Sequence, residues 1–494
     1  MQKILVANRG EIALRVMRTA KEMSIKTVAV YSEADRGMPF VRYADEAVCI
    51  GPALSAQSYL RGEKIIAAAK QTGAEGIHPG YGFLSENAAF SKAVTDAGLT
   101  YIGPSAHSIE TMGSKIGAKQ AAKKFNVPMV PGTETPISDI EDARQIANAI
   151  GYPVLIKASA GGGGKGMRVV NSEAEFDEQV RTARSEALSS FGNDDVFIEK
   201  YVGAPKHIEI QLMGDTHGNY VYLFERECSI QRRHQKLVEE APSSCLTPEI
   251  RKAMGECAIA VARSCNYYGA GTVEFLVDEQ LNFYFLEMNT RLQVEHCVTE
   301  MITGIDLVKE QINVARGHQL SFSQADLQIN GHAIELRVCA EDPFNNFLPD
   351  IGRLDIYQPP KGPGVRVDDG YEEGMDIPIF YDPMLAKLVA WAPTRDEAID
   401  RLCRAIDEYY IKGIQTTLPF GKWAVQTVPF RTGNFDTKFI EKYYKPEYLN
   451  IEDADAEDIA ALFSAFVWEK DMKQTEPIAA VNAGPVSKWK LNRK

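Results

Sequence analysis

Two short runs, TVEFLV (272–277) and FYFLEMN (283–289), carry the strongest chemical signal in the chain. Joined by residues 278–282, they read as an antiparallel hairpin, and a tip at Gln280 and Leu281 puts Glu274 directly opposite Glu287. Two facing carboxylates repel. A bound cation resolves the repulsion, and the period of two brings Asn289 and Arg291 onto the same face. Two carboxylates and an amide oxygen suit a magnesium ion that holds nucleotide phosphates. The competing reading is a glutamate exposed at a sheet edge; Phe275, Phe283 and Phe285 argue instead that the other face is buried.

Just beyond lies NTRLQVEH (289–296). Alternation would place Arg291, Gln293 and Glu295 on one side, offering a bidentate fork, an amide and a base in a small space. Upstream, SAGGGGKGMRVV (159–170) sets Gly161, Gly162, Gly163, Gly164 and Gly166 between predicted strands at 154–157 and 167–170. Such a loop can fold its amides around phosphate oxygens, where a side chain would obstruct the approach; a flexible solvent loop has the same composition. It is not a P-loop, because Gly166 rather than Ser or Thr follows Lys165. HIEIQL (207–212) alternates polar and aliphatic residues, and QRRHQK (231–236) is a basic run that either faces an anion or is solvated.

The elements that must position these residues follow from periodicity. Strand, helix and strand at 3–7, 11–22 and 27–31 open a doubly wound α/β domain, in which Gly10 marks an architectural turn. A helix at 114–125 and the prolines Pro128, Pro131 and Pro136 mark a second domain, with alternating strands between Phe197 and Phe285. Further strands and a helix at 395–410 form a third. The expected division is 1–114, 115–317 with a lid at about 131–203, 318–446, and a tail at 447–494 that is acidic at 452–458 and carries a short amphipathic helix at 459–468. A 494-residue chain with 45% hydrophobic and 24% charged residues buries a large core, and a net charge of -13 argues against a general nucleic-acid binder. Eight scattered cysteines read as reduced thiols. With no leader pattern and no long apolar segment, the expectation is a cytoplasmic protein without a membrane span.

The stretches ANRGEIALRV, HPGYGFLSEN, YPVLIKASAGGGGKGMRVV, RECSIQRRHQKLVEEAP, EMNTRLQVEH and AEDP stand in the order found in the biotin carboxylase family of the ATP-grasp superfamily, which the chain resembles over about 3–443. The resemblance implies an α/β and α+β multidomain fold: an N-terminal doubly wound α/β domain, a central ATP-grasp fold with a mobile glycine-loop lid, and a C-terminal mixed α/β domain. It implies that Lys115 and Lys157 contact ATP phosphates, that the loop with Gly162, Gly163 and Gly164 closes over them, and that Glu199, Lys200 and Val202 meet adenine in a slot lined by Met167 and Leu276. His207, Gln231 and His234 would reach the ribose and phosphates, and Glu274, Glu287 and Asn289 would hold one or two Mg²⁺ or Mn²⁺ ions. Lys236, Arg291, Gln293 and the Val294 backbone would bind bicarbonate, Glu295 would remove its proton, and Arg337 would stabilise the enolate of biotin as it captures CO₂ from carboxyphosphate.

Three positions depart from common members. Ala160 precedes the glycines, Cys297 stands where many relatives have proline and is expected to loosen the chain past Glu295, and the tail follows Tyr443. No biotinyl hairpin is recognisable. Biotin is therefore expected on a separate biotin carboxyl carrier protein, with a separate carboxyltransferase polypeptide as a further partner and a homodimer as the assembly. Acetyl-CoA or propionyl-CoA is the leading acceptor, and pyruvate in a two-subunit enzyme is next. An ATP-grasp ligase with another acceptor and a nucleotide-holding scaffold are the competing classes.

Overall fold

The computed structural model describes residues 1–133, 136–137, 139–158, 167–191, 194–233, 235–449 and 454–474. The apolar run of β1 (Lys3–Val6) is buried at the centre of a parallel sheet with β2 (Lys26–Ser32), β3 (Glu46–Gly51), β4 (Gly76–His78) and β5 (Thr100–Tyr101), in the order β3-β2-β1-β4-β5. That order changes direction between β1 and β4, the crevice where doubly wound folds place their functional loops. Gly10, at φ +61°, turns the chain there into the helix Gly10–Glu22. The Asn8 amide ties this loop to the next by donating to the carbonyls of Pro79 and Tyr81 at 2.8 and 2.7 Å.

A small antiparallel sheet, β7-β6-β8, follows, built from β6 (Val154–Ala158), β7 (Met167–Val170) and β8 (Val196–Lys200). Ile156, Val170, Ile198 and the helices Ile140–Ile150 and Glu173–Phe191 give it a hydrophobic core of its own.

The largest sheet is antiparallel throughout. It joins β9 (Lys206–Gly214), β10 (Tyr220–Arg232), β11 (Gln235–Ala241), β12 (Gly269–Val277), β13 (Phe283–Asn289), β14 (His332–Cys339), β18 (Val365–Asp369) and β19 (Met384–Ala392) in the order β13-β12-β9-β10-β11-β14-β19-β18. Two ribbons, β15 (Glu341–Asp342) with β16 (Leu348–Pro349) and β17 (Ile356–Gln358) with β20 (Tyr410–Lys412), flank it. The expected second and third domains thus share one sheet through the β11–β14 pairing. Local sequence patterns report strands but not which distant strand completes the ladder.

The sheet has an apolar face, where Ile208, Ile210, Val273 and Phe275 pack beneath the helix Pro248–Ser264, and a polar face that is nonetheless buried. Two sequence expectations need correction. The helix expected at 395–410 ends at Asp407, and Tyr410 belongs to β20, because a strand pairing captures the chain there. In the C-terminal segment a helix runs over Ala454–Gln474 rather than 459–468. Its Ile459, Leu462, Phe463 and Phe466 follow helical spacing and are exposed. Among the described residues, no helix is long and apolar enough to cross a membrane.

Candidate active site

Glu274 does lie opposite Glu287, but the hairpin reaches that register by a different route. The turn is the whole 278–282 segment, with Val277 paired to Phe283. A bulge at Leu286 then shifts the ladder by one residue before Glu274. Glu274 is buried and Glu287 is exposed. Residues 290–295 are not a continuation of the strand. They form an irregular segment ending in a turn before the helix His296–Thr303, so Arg291, Gln293 and Glu295 converge through loop geometry instead of alternation.

Lys236 is the centre of the arrangement. Its ammonium donates to Glu209 Oε2 at 2.5 Å, Glu295 Oε1 at 2.7 Å and Glu274 Oε1 at 3.1 Å. The second Glu295 oxygen accepts from Arg337 Nη2 at 3.0 Å, and Arg337 Nε donates to Glu239 at 2.6 Å. Burial opposes ionisation of Glu295, but Lys236, Arg337 and Arg226 outweigh it and hold the carboxyl well below the ordinary range. Burial likewise works against the charge on Lys236, and Glu209, Glu274 and Glu295 reverse it, keeping the ammonium charged.

Glu274 Oε1 also accepts from Asn289 and Gln293, both at 2.9 Å, and its other oxygen lies 3.0 Å from His207 Nε2. Arg291 reaches Asn289 Oδ1 at 3.0 Å and Glu86 at 2.9 Å. The Val294 carbonyl accepts from the buried Lys387 at 3.1 Å. Glu274, Glu287 and Asn289 present oxygen donors only, and with Glu274 already drawing in cationic and amide donors the set fits a hard divalent ion.

A second cluster sits on the small sheet. Lys157 and Lys119 both donate to Glu199, the latter at 2.5 Å, and Lys200 is bound to the Gly151 carbonyl at 2.7 Å. Met167 is exposed and Val202 half-buried, while Leu276 lies opposite His207 in the β12–β9 pair. Of the basic run, Lys236 enters the site and Gln231 leans on the Cys228 carbonyl at 3.5 Å. Arg232 lies over the Phe347 ring instead. The Lys115 side chain, Gly162, Gly163, Gly164 and His234 fall outside the described residues.

Three participants carry no local signal strong enough to single them out in the sequence. Arg226, wholly buried, donates to Glu209 at 2.6 Å, Gln211 at 2.6 Å and Gln293 at 2.7 Å, so it orients Glu209, the second such participant and a partner of Lys236, and Gln293, which holds Glu274. Glu86 holds both the Arg291 guanidinium and the Thr290 amide. The alternation of HIEIQL points to Glu209, but nothing local distinguishes Arg226 from a solvated charge. Cys297 is fully buried beside Val298 and Ile302, and its thiol donates to Asp368 at 3.2 Å, so its side chain is packed into the interior just past Glu295.

Three family models divide the chain: biotin carboxylase, N-terminal domain (residues 1–109), carbamoyl-phosphate synthase L chain, ATP binding domain (114–323), and biotin carboxylase C-terminal domain (335–442). Fold and site together define an ATP-grasp enzyme. The chain is 51% identical to a pyruvate carboxylase subunit from Methanothermobacter thermautotrophicus, with 97% of each protein covered, and 51% identical to biotin carboxylase 1 of Bacillus subtilis, covering 90% of this chain and 99% of that one. The chain therefore belongs to the biotin carboxylase family, whose members are ATP-dependent carboxylases. It is 54% identical to the human mitochondrial propionyl-CoA carboxylase alpha chain but spans only 61% of that protein's length. Among solved structures, the biotin carboxylase domain dimer of Hydrogenobacter thermophilus 2-oxoglutarate carboxylase, in complex with MgADP, ADP and bicarbonate, is similar at a TM-score of 0.83 and 48% identity, covering 92% of this chain and 99% of that one.

Proposed function

We propose that the chain uses MgATP and bicarbonate to carboxylate biotin carried on a separate biotin carboxyl carrier protein, the first half-reaction of a multi-subunit carboxylase. The observation that carries this reading is the buried Glu295 carboxylate bracketed by Lys236 at 2.7 Å and Arg337 at 3.0 Å: a base between two cations, suited to an anionic acid and an anionic intermediate.

In this reading Lys236, Arg291, Gln293 and Val294 bind bicarbonate and Glu295 takes its proton, so that the bicarbonate oxygen attacks the γ-phosphate and ADP leaves. Bicarbonate binding supplies Lys236 with a new anion and weakens its hold on Glu295. The carboxyl pKa then rises toward a value useful to a base. Carboxyphosphate breaks down to CO₂ and phosphate, the phosphate takes the N1 proton of biotin, and Arg337 stabilises the enolate. Glu274, Glu287 and Asn289 hold Mg²⁺ or Mn²⁺, which supplies neutralisation of phosphate charge. Lys115, Lys157, Glu199, Lys200, Val202, Met167, Leu276, His207, Gln231 and His234, with the glycine loop, serve the nucleotide. The Lys157–Glu199 pair must then part when phosphates arrive.

The likeness to a relative described as a dimer with MgADP and bicarbonate supports these ligands and a homodimer. A cytoplasmic location agrees with eight free cysteines. For the acceptor handled by the carboxyltransferase partner, an acyl-CoA, acetyl- or propionyl-, is supported by the identity to the propionyl-CoA carboxylase chain. Pyruvate is the second reading, favoured by a match to the Methanothermobacter pyruvate carboxylase polypeptide that runs through the C-terminal segment.

The test is ADP release with MgATP and free biotin, with and without bicarbonate. Turnover that requires both, and collapses in Glu295→Gln and Arg337→Ala, supports the reading; an equal rate without bicarbonate refutes it. Purified carrier with each candidate carboxyltransferase then distinguishes the acceptors by product.

A further inference from the structure

Behind Arg337 the sheet buries a pair of glutamates that the proposed reaction does not use. Glu239 on β11 and Glu335 on β14 are directly opposite in antiparallel register, and both are fully buried. Side chains so placed have their Cβ atoms about 5 Å apart. Glu239 gives one oxygen to Arg337 Nε at 2.6 Å; its other oxygen and both oxygens of Glu335 have no hydrogen-bond partner.

The groups facing Glu335 are Glu239 from β11, Arg337 from its own strand, Lys387 from β19, and Glu295 and Cys297 from the segment across the sheet. Both cations are engaged elsewhere. Arg337 binds Glu239 and Glu295, and Lys387 binds the Val294 carbonyl and Glu11, each at 3.1 Å, with Asp368 at 3.8 Å. A carboxylate in a dry interior with neither donor nor free counter-charge gives up its charge by taking a proton. Burial, then the neighbouring Glu239, pushes Glu335 well above the ordinary carboxylate range. Glu239 itself is pushed up to about 7 by burial, against the opposing pull of Arg337.

We propose that Glu239 and Glu335 hold one proton between them, with Glu335 as the neutral acid, and that this pair positions the Arg337 guanidinium. The proposal rests on the reading above for the task it gives Arg337. With both glutamates ionised, Arg337 would face three carboxylates, counting Glu295, and would be held back from an anionic enolate. With one proton on the pair, Glu239 keeps a single charge on Arg337 Nε and the Nη edge stays directed at Glu295 and the reacting ureido oxygen. Glu335 touches no substrate; it acts through Glu239.

Infrared difference spectroscopy of the full-length protein at neutral pH tests the proton directly. A protonated-carboxyl C=O band that shifts in D₂O and vanishes in Glu335→Gln is expected; a band unaffected by that substitution, or no band, overturns the proposal. In bicarbonate-dependent ADP release with biotin, Glu335→Ala should lower kcat on the order of tenfold to a hundredfold with the KM for MgATP unchanged. Glu335→Gln, which keeps a neutral hydrogen-bond donor, should return kcat to within about threefold of the parent. A Gln variant as impaired as the Ala variant would show that the charge, not the proton, is needed. A parent without bicarbonate-dependent turnover would remove the reading of the reaction while leaving the spectroscopic result to stand or fall separately.

Discussion

Lys236 Nζ lies 2.7 Å from Glu295 Oε1 and 3.1 Å from Glu274 Oε1, so one ammonium is held in common by the proposed base and the proposed metal carboxylate. The state of one is therefore felt by the other. Anything that draws Lys236 toward a bound anion loosens both at once.

Glu295→Gln should reduce bicarbonate-dependent ADP release by roughly 10²- to 10⁴-fold, the usual contribution of a positioned base. Lys236→Met should be similarly impaired and should also move the acid limb of the pH–rate profile. The ammonium depresses the Glu295 pKa, so its removal raises that pKa and shifts the limb to higher pH. A steady-state profile of the residual activity checks the sign; an unmoved limb counts against Glu295 as the titrating group.

Arg226 is a structural keystone by the number of buried partners it satisfies. Arg226→Gln removes one of two cations from the buried Glu209 carboxylate, leaving it to Lys236, and should cost about 3 kcal/mol in chemical denaturation. A loss below about 1 kcal/mol would mean that the cluster relaxes around the missing charge.

How far the sequence exposes such a site depends on whether a residue announces itself locally. The Glu274–Glu287 pair is visible because strand alternation and the run of phenylalanines fix which face is wet and which is dry. Glu209 is half visible, as one of three polar residues on an alternating strand. Arg226 is invisible: a charged residue in YVYLFERE looks like a solvent-facing position until the sheet closes over it with strands from residues 269–289 and 235–241. The N-terminal α/β order is legible from its alternating elements, whereas the passage of one sheet across the second and third domains depends on the β11–β14 pairing, with no signature in either strand. Gln293 reaches the cluster through Glu274 and Glu295 through Lys236, and the segment that carries them is a turn rather than the strand that alternation assumes.

Acid stability should carry the mark of Glu240, whose carboxyl is drawn down to about 2 by His332 and Arg395 despite its burial. A depressed folded pKa gives stability that is present above the unfolded carboxylate value of about 4.3 and is lost as pH falls toward the folded one. Glu240→Gln should be less stable than the parent by about 3 kcal/mol at neutral pH, with the gap narrowing below about pH 4. Urea titrations at neutral and acid pH measure the gap; a constant difference would contradict the assignment.

Cys297→Ala removes one thiol hydrogen bond to Asp368 and a small buried volume. A stability loss of about 1 kcal/mol with unchanged kcat is expected. A fall in kcat would reveal that Asp368 transmits strain to the 291–295 segment.

The bulge at Leu286 acts as a frame marker for β13. Were Leu286 drawn into the ladder opposite Glu274 instead of standing outside it, every side chain beyond it would exchange faces: Glu287 would drop into the layer of Phe275 and Met288 would rise among the carboxylates. Deleting Leu286 would keep Glu287 opposite Glu274 in an unbroken ladder, whereas flattening the bulge with every residue retained would garble the text downstream. The reading frame of this strand is thus set by which residue is left unpaired, not by the side chain that residue carries.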